Sequence, residues 1–242
     1  LPEIFISLSI MFLLVLGVFK KNSSKLVYNI TLLVLLFLII ITLNETYSID
    51  RITLFNDSIV IDYMSSLMKI ITLVSAFFVL VISPSYLKTF KIFKIEYPIL
   101  ILSSVLGMMV MISSNDLMVF YMGLELQSLA LYVLATFNRD QLKSSEAGLK
   151  YFVLSALSSG LLLYGCSLIY GFSGSTNFDI ISYQLNSNEY ALTFGIVFIL
   201  VGLAFKISAV PFHMWAPDVY EGSPTSVTLF FTMVPKIAAL TV

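Results

Sequence analysis

The chain has 242 residues, of which 59% are hydrophobic and 11% are charged, and its mean hydropathy is +0.99. A soluble domain is about 45–50% apolar and about 25% charged, so an ordinary soluble fold is excluded and lipid must surround much of the chain. The formal net charge of −1 provides no basic surface for nucleic acid. The single cysteine, Cys166, and the single histidine, His213, exclude an internal disulfide, a thiolate metal cluster and a histidine-ligated metal site.

Eight apolar runs, each long enough for a transmembrane helix, follow one another along the chain. They cover residues 3–19, 26–43, 60–83, 97–113, 116–137, 147–171, 190–210 and 224–242. These runs are apolar on all sides and do not alternate with a period of two residues, which argues against membrane β-strands. The predicted fold class is therefore an all-α membrane protein, a polytopic bundle of about eight transmembrane helices.

Lysine and arginine are concentrated in alternate connections between these runs. Three lie in each of the segments 20–25, 84–96 and 138–150, whereas the intervening connections contain only Arg51. Cytoplasmic connections of membrane proteins are enriched in basic residues. The pattern therefore predicts that the N-terminus is outside and that the three basic connections are inside.

Four charged side chains lie deep inside predicted spans: Lys69, Glu125, Lys206 and Lys236. A charge near the bilayer centre costs roughly 2.5–3.5 kcal/mol on insertion scales, so such a residue indicates function. At a rise of ~1.5 Å per residue, Glu125 lies about 14 Å from the outer boundary and Lys236 about 18 Å into its span. Lys206 lies nearer the inner side. The alternative, a buried ion that serves packing, is weaker for these three residues and equally open for Lys69.

Prolines follow or precede two of the buried lysines. Pro211 comes five residues after Lys206, and Pro235 immediately precedes Lys236. Because a proline removes a backbone donor and clashes with the carbonyl four residues earlier, we expect helix breaks or kinks at both positions. Broken helices in membranes line polar cavities and ion sites, although simple kinks are the alternative. His213 is a candidate proton relay or, equally, an interfacial histidine.

Several motifs of the chain are similar to those of a known family. The segment 205–225, with the sequence FKISAVPFHMWAPDVYEGSPT, closely resembles the antiporter-like membrane subunits of respiratory NADH:quinone oxidoreductase, complex I. The segments 114–117, 125–129, 146–152 and 170–178 support this resemblance. Sister proton-channel subunits and multisubunit sodium/proton antiporters have Ala-His where this chain has Val219-Tyr220. This difference favours the branch called subunit N in bacteria and subunit 2 in mitochondria.

The resemblance covers residues 97–242 closely and residues 1–96 more loosely. It implies an N-terminal three-helix membrane segment, 1–96, followed by the first antiporter-like five-helix repeat, 97–242. That repeat, spans four to eight, includes a broken seventh helix, and the second repeat of the family is absent from this chain. Because the chain begins with leucine and stops inside an apolar run, we expect a fragment.

The resemblance also implies a function, proton translocation across the membrane, coupled to quinone reduction elsewhere in the complex. It implies that Glu125 modulates a lysine partner, that Lys206 carries the proton and that Lys236 passes it toward the centre. No role attaches to Lys69. Burial favours a neutral lysine and a nearby carboxylate favours the charged form, so a Glu125–Lys206 pair can act as a switch with two settings.

The chain is expected to hold no cofactor and no metal, because it lacks the cysteines for iron–sulfur clusters and a glycine-rich nucleotide loop. NADH, FMN, iron–sulfur clusters and quinone are expected to belong to other subunits, so the enzyme class is that of the assembly. The expected partners are the other membrane subunits of complex I, the lipid bilayer and protons. The expected location is the bacterial plasma membrane, with the mitochondrial inner membrane as the alternative. Two other functions stay open: a sodium/proton antiporter subunit and a structural membrane scaffold.

Overall fold

The structure is a computed structural model of a helical bundle. It describes residues 2–20, 23–46, 51–184 and 189–241. The helices in chain order are α1 (Pro2–Phe19), α2 (Ser24–Thr46), α3 (Tyr63–Thr89), α4 (Glu96–Ile112), α5 (Leu117–Ala135), α6 (Leu142–Ser173), α7 (Phe178–Gln184), α8 (Glu189–Lys206), α9 (Ala216–Gly222) and α10 (Thr225–Ala239).

Within the described ranges, α1 to α6, α8 and α10 overlap the eight predicted spans, which confirms the all-α polytopic fold. Five of them, α1, α2, α3, α5 and α6, are long and apolar enough to cross a membrane, and α4, α8 and α10 are shorter apolar helices. Three elements were not predicted: the short helices α7 and α9, and a β-hairpin. The hairpin pairs β1 (Ile52–Leu54) with β2 (Ile59–Ile61) in antiparallel register and precedes α3.

Aspartate caps begin two of the spanning helices. The Asp62 side chain accepts a hydrogen bond from the backbone N–H of Ser65 at 2.7 Å, and the Ser65 hydroxyl completes a capping box. The Asp116 side chain accepts from the backbone N–H of Met118 at 2.8 Å. An N-cap satisfies backbone donors that a helix leaves without partners at its first turn. Both helices therefore begin at defined positions at the predicted outer end of the bundle.

Polar contacts join the connections at this outer end. The Asn115 side chain donates to the backbone carbonyl of Asp57 and to a carboxylate oxygen of Asp179, both at 3.1 Å. Arg51 also contacts Asp179, at 3.1 Å. These contacts connect the hairpin, the turn before α5 and the start of α7. They hold the outer ends of α3, α5 and α6 together.

Two pairs of glycines allow helices to touch at the level of the backbone. A Cβ added to Gly107 on α4 would lie 2.5 Å from the backbone nitrogen of Gln127 on α5, and one added to Gly123 on α5 would lie 2.8 Å from the backbone nitrogen of Met111 on α4. Real Cβ atoms essentially never make contacts shorter than 3.0 Å, so neither position has room for a side chain. Gly165 on α6 and Gly195 on α8 approach each other in the same way. The helix pairs α4–α5 and α6–α8 also make the most extensive contacts in the bundle.

The N-terminal helices pack directly on the last described helix. The hydroxyl of the buried Tyr97 lies 3.2 Å from the hydroxyl of Ser83 on α3 and 3.4 Å from the backbone carbonyl of Ser226 on α10. The Tyr86 hydroxyl on α3 accepts a hydrogen bond from the backbone N–H of Thr225 at 3.2 Å. The segment before α4 is thus continuous in packing with the rest of the bundle. The division into 1–96 and 97–242 stays a prediction.

The orientation of the bundle is a testable prediction. In a Cys166→Ala background, single cysteines at the exposed positions Thr89 and Gln141 should react with an impermeant maleimide only from the cytoplasmic side, because they lie in the basic connections. Cysteines at Asn56 and Tyr183 should react only from the opposite side. Labelling of intact cells and inverted vesicles distinguishes the two sides. A reversed pattern would contradict the orientation.

Candidate functional site

Lys206, the last residue of α8, lies inside the bundle with 5% of its side chain exposed. Its Nζ donates hydrogen bonds to three hydroxyl oxygens, those of Ser155 at 2.7 Å, Ser128 at 2.9 Å and Tyr132 at 3.4 Å. An ammonium group has three donors and no acceptor. The three hydroxyls, which we call the hydroxyl cradle, therefore satisfy all the hydrogen bonds that a charged Lys206 can make.

The cradle is itself held by hydrogen bonds. The Tyr132 hydroxyl donates to the Ser155 hydroxyl oxygen at 2.7 Å, which joins α5 to α6. The Ser128 hydroxyl donates to the backbone carbonyl of Leu124 at 2.7 Å and so presents a lone pair to the lysine. A positioned acceptor loses little conformational entropy when it binds a cation. The cradle hydroxyls are thus already oriented to accept hydrogen bonds from a charged Lys206.

Glu125 lies close to this site but does not hydrogen-bond to the lysine. Its Oε1 is 4.0 Å from the Nζ of Lys206, its side chain is 22% exposed, and Oε1 has no hydrogen-bond partner among the described residues. A distance of 4.0 Å exceeds the usual limit for a hydrogen bond, so the contact is electrostatic. The predicted pair is present as a loose ion pair, and the direct partners of the lysine are hydroxyls that the sequence analysis did not identify.

A signal for two of the missed residues exists in the sequence. Glu125, Ser128 and Tyr132 are spaced i, i+3 and i+7, which places them on one face of a helix. Polar residues at this spacing in an otherwise apolar span indicate a polar face toward a partner. Ser155 carries no comparable signal, because its contact with Lys206 depends on how α6 and α8 pack.

The backbone changes at Lys206, where α8 ends. Residues 207–215 are non-helical, Ser208 has a positive φ of 60°, and the helix resumes as α9 at Ala216. The indole N–H of Trp215 donates to the backbone carbonyl of Phe205 at 3.0 Å and so satisfies an acceptor freed at the helix end. A helix C-terminus also favours a nearby cation through its dipole. The break therefore helps to stabilise a charged lysine.

The two proline predictions differ in outcome. The break near Pro211 exists, but the helix ends five residues before this proline, which lies within the non-helical stretch. At Pro235 a break is contradicted, because α10 continues through this proline to Ala239, and the kink stays a prediction. A proline inside a helix removes one hydrogen bond, and packing on both sides holds the remaining turns together.

Lys236 and Lys206 contact opposite ends of a row of aromatic rings. The Nζ of Lys206 lies 5.8 Å from the ring centre of Tyr132, and the Nζ of Lys236 lies 5.5 Å from that of Tyr220. Between these rings, Tyr132 packs edge-on against Tyr151 at 4.9 Å, Tyr151 stacks on Trp215 at 4.6 Å, and Trp215 packs edge-on against Tyr220 at 5.9 Å. The aromatic row comprises Tyr132, Tyr151, Trp215 and Tyr220. Ring faces stabilise the cation at each end of the row.

The other two candidate residues lie elsewhere. His213 is exposed in the stretch between α8 and α9, and its role as a proton relay stays a prediction. Lys69 on α3 is 2% exposed and pairs with Glu3 on α1 at 2.5 Å, so it belongs to a separate ion pair of the N-terminal helices. Within the part of the chain that the structure describes, no group of three or more His, Cys, Asp or Glu side chains converges to hold a metal ion.

Comparison with known proteins identifies relatives along the whole chain. A family model described as NADH:quinone oxidoreductase/Mrp antiporter, transmembrane, matches residues 114–242. NADH-quinone oxidoreductase subunit N of Pelagibacter ubique is 75% identical over 100% of this chain and 51% of that protein. Subunit N of Bartonella bacilliformis is 55% identical over 99% of this chain and 49% of that protein. The chain thus spans about half the length of the curated relatives it matches.

Two solved structures are also similar to this chain over nearly its whole length. A chain of respiratory complex I from Thermus thermophilus with bound aureothin superimposes with a TM-score of 0.85 at 30% identity, over 100% of this chain and 52% of that one. A chain of the Mrp complex from Dietzia sp. superimposes with a TM-score of 0.83 at 24% identity, over 98% of this chain and 46% of that one, which indicates a shared fold.

Proposed function

This chain belongs to the NADH:quinone oxidoreductase/Mrp antiporter family of membrane subunits, and we propose that it translocates protons as a membrane-arm subunit of NADH:quinone oxidoreductase. It is a multi-pass protein of the bacterial plasma membrane. The observation that carries the proposal is the environment of Lys206. A buried lysine at a helix break, held by three hydroxyls and 4.0 Å from a carboxylate, is equipped to take up and release a proton.

The distance between Glu125 and Lys206 controls the switch. At about 4 Å, two unit charges attract by about 4 kcal/mol for an effective dielectric constant of about 20. Movement of Glu125 by about 1 Å toward the lysine creates a hydrogen bond and favours the charged form. Movement away removes this stabilisation, and burial then favours the neutral amine. The observed 4.0 Å lies between the two settings, so small helix movements load or unload the proton.

The proposal assigns the redox chemistry to other subunits. NADH oxidation and quinone reduction take place elsewhere in the assembly, and their conformational effect reaches this chain through neighbouring membrane subunits. The other membrane subunits of the complex, lipid and protons are the proposed partners. The sodium/proton antiporter alternative is not favoured, because relatives named subunit N match the entire chain and Val219-Tyr220 replaces the Ala-His of the antiporters.

Deletion and complementation of the full-length protein test this function. Inverted membrane vesicles without the protein should lose NADH-driven proton uptake that depends on quinone reduction, and the full-length gene should restore it. Proton uptake driven by ATP hydrolysis is the control and should not change, because it does not require this complex. The restored activity should be the same in sodium and potassium media. Uptake that requires sodium and proceeds without NADH would contradict the proposal and favour an antiporter.

A further inference from the structure

Tyr220 on α9 has a buried hydroxyl that makes no hydrogen bond with any described residue. Its ring is fixed on both sides, by the edge contact with Trp215 and by Lys236 over its face. A buried hydroxyl left without a partner costs about 1–3 kcal/mol, and nearly all such groups in native proteins bind protein or ordered water. The Tyr220 hydroxyl therefore calls for a water partner in a part of the bundle that also holds two lysines.

Further buried oxygens without partners lie on the elements that surround the hydroxyl cradle and the aromatic row. One is next to the cradle on α5, one lies one helical turn after it on α6, and one follows Lys206 in the non-helical stretch. These are Glu125 Oε1, Ser159 Oγ and Ser208 Oγ, and among the described residues Gln127 Oε1 on α5 also has no partner. Buried water typically makes about three hydrogen bonds to such groups. Together with the Tyr220 hydroxyl, these oxygens are candidate partners for buried water on the elements that carry the hydroxyl cradle and the aromatic row.

Lys206 and Lys236 cannot exchange a proton without a mediator. They contact opposite ends of the aromatic row, so a proton moving from the ammonium of one to the neutral amine of the other needs groups between them that accept on one side and donate on the other. Hydroxyls and water have this property, but the indole N–H of Trp215 does not, and it is engaged with the Phe205 carbonyl. Tyr220 is the member of the aromatic row that combines a free hydroxyl with a contact to Lys236.

We propose that the Tyr220 hydroxyl binds buried water and, with it, passes protons between Lys206 and Lys236. This inference rests on the proposed function, since it specifies the route that the proton takes after it leaves Lys206. The exposed His213 takes no part in this step. This gives Tyr220 a catalytic role at the position where the sister proton-channel subunits of the family have histidine.

The transfer leaves every group except the lysines unchanged. The Lys206 ammonium exchanges one cradle hydroxyl for a bound water, breaks that N–H bond and protonates the water, and the bound water next to Tyr220 releases a proton to the Tyr220 oxygen. The phenol simultaneously loses its own proton, through a further water, to the neutral Lys236 amine, where a new N–H bond forms. Tyr220 is a neutral phenol before and after, and each water molecule is regenerated. The sum is one proton moved from Lys206 to Lys236, with no oxidant or reductant.

The substitution Tyr220→Phe tests this step in the assembled complex, because it retains the ring contacts and removes the hydroxyl. The rate of NADH-driven proton uptake in inverted vesicles, normalised to assembled complex, should fall by about tenfold or more, as expected for loss of a positioned proton-transfer group. Tyr164→Phe is the matched control: this tyrosine is 53% exposed on α6, and its loss should leave the rate unchanged. Tyr220→His should recover much of the activity, because imidazole both accepts and donates.

A density map of the complex supplies an independent measurement. Water should lie about 2.7–2.8 Å from the Tyr220 hydroxyl oxygen in the wild type and be absent or displaced in Tyr220→Phe. Wild-type proton uptake by Tyr220→Phe, in a strain where Lys206→Ala is inactive, would overturn the inference and leave the proposed function intact. Full activity of Lys206→Ala would instead contradict the proposed function itself. If Tyr220→Phe does not assemble, activity of Tyr220→His together with the water density supports the inference, and absence of both overturns it.

Discussion

Replacement of Lys206 with alanine is expected to reduce NADH-driven proton translocation strongly while the complex still assembles. The substitution removes the amine that carries the proton, and it leaves the hydroxyls of Ser128, Tyr132 and Ser155 without the cation that they bind. Lys206→Arg should also fail, because a guanidinium stays protonated and cannot release its proton. The measurement is proton uptake in inverted vesicles, normalised to the amount of complex on native gels.

Substitutions at Glu125 test the coupling to Lys206. Glu125→Ala removes the charge 4.0 Å from the ammonium, so the lysine should lose its proton more readily and translocation should fall strongly. Glu125→Asp keeps the charge with a shorter reach and should retain partial activity. Because the two residues act as one coupled pair, proton translocation by the double alanine variant should be little slower than that of the less active single variant. Losses that simply multiply, or wild-type activity of Lys206→Arg, would contradict the coupled pair.

Replacement of Gly107 with alanine is expected to prevent accumulation of the protein. The added Cβ would lie 2.5 Å from the Gln127 nitrogen and 2.7 Å from the Gly123 carbonyl oxygen, and backbone atoms cannot rotate away as a side chain can. Helices α4 and α5 must then separate along one of the most extensive contacts in the bundle. Overpacking of a close contact costs about 1–3 kcal/mol, and more where backbone cannot yield. We expect less than about a tenth of the wild-type amount in the membrane.

Gly160→Ala provides the matched control for this prediction. Gly160 also lies inside a spanning helix, and a Cβ there meets nothing within 4 Å. Both substitutions gain about 1 kcal/mol in helix propensity, so the difference between them isolates the clash. Immunoblots of membranes should show Gly160→Ala at or above the wild-type level. Equal accumulation of the two variants would mean that α4 and α5 are not as close as described.

The membrane spans were predictable because their signal is local. A run of about 20 apolar residues has no stable place in water, whatever its neighbours are. The same reasoning identified Glu125 and Lys206, because the cost of burying a charge in lipid depends on its depth in the bilayer. This depth follows from the position of the residue within its span and requires no knowledge of the residue that it contacts. The pattern of lysines in alternate connections likewise required no tertiary information. These features follow from the free energy of transfer of each segment by itself.

Features that depend on packing between helices were missed or misplaced. Pro211 predicted a break or kink beside Lys206, and α8 does end at Lys206, but the contact by which the indole of Trp215 satisfies the backbone there was not predicted. Pro235 obeys the same local rule, yet α10 remains continuous because its neighbours hold it. Proline determines which hydrogen bond is lost. The surrounding helices determine whether the chain leaves the helix there.

Burial costs are properties of single segments, so the amino-acid sequence was enough to predict a membrane bundle with a carboxylate and lysines inside it. Packing between helices, which no single segment shows, brings Lys206 within hydrogen-bond distance of Ser155 and Tyr132 and leaves Glu125 4.0 Å away. The same packing places aromatic rings between Lys206 and Lys236. Such contacts join residues that are far apart in the chain. Their geometry depends on how closely α5, α6 and α8 approach one another, and glycine pairs and interhelical hydrogen bonds together determine this approach.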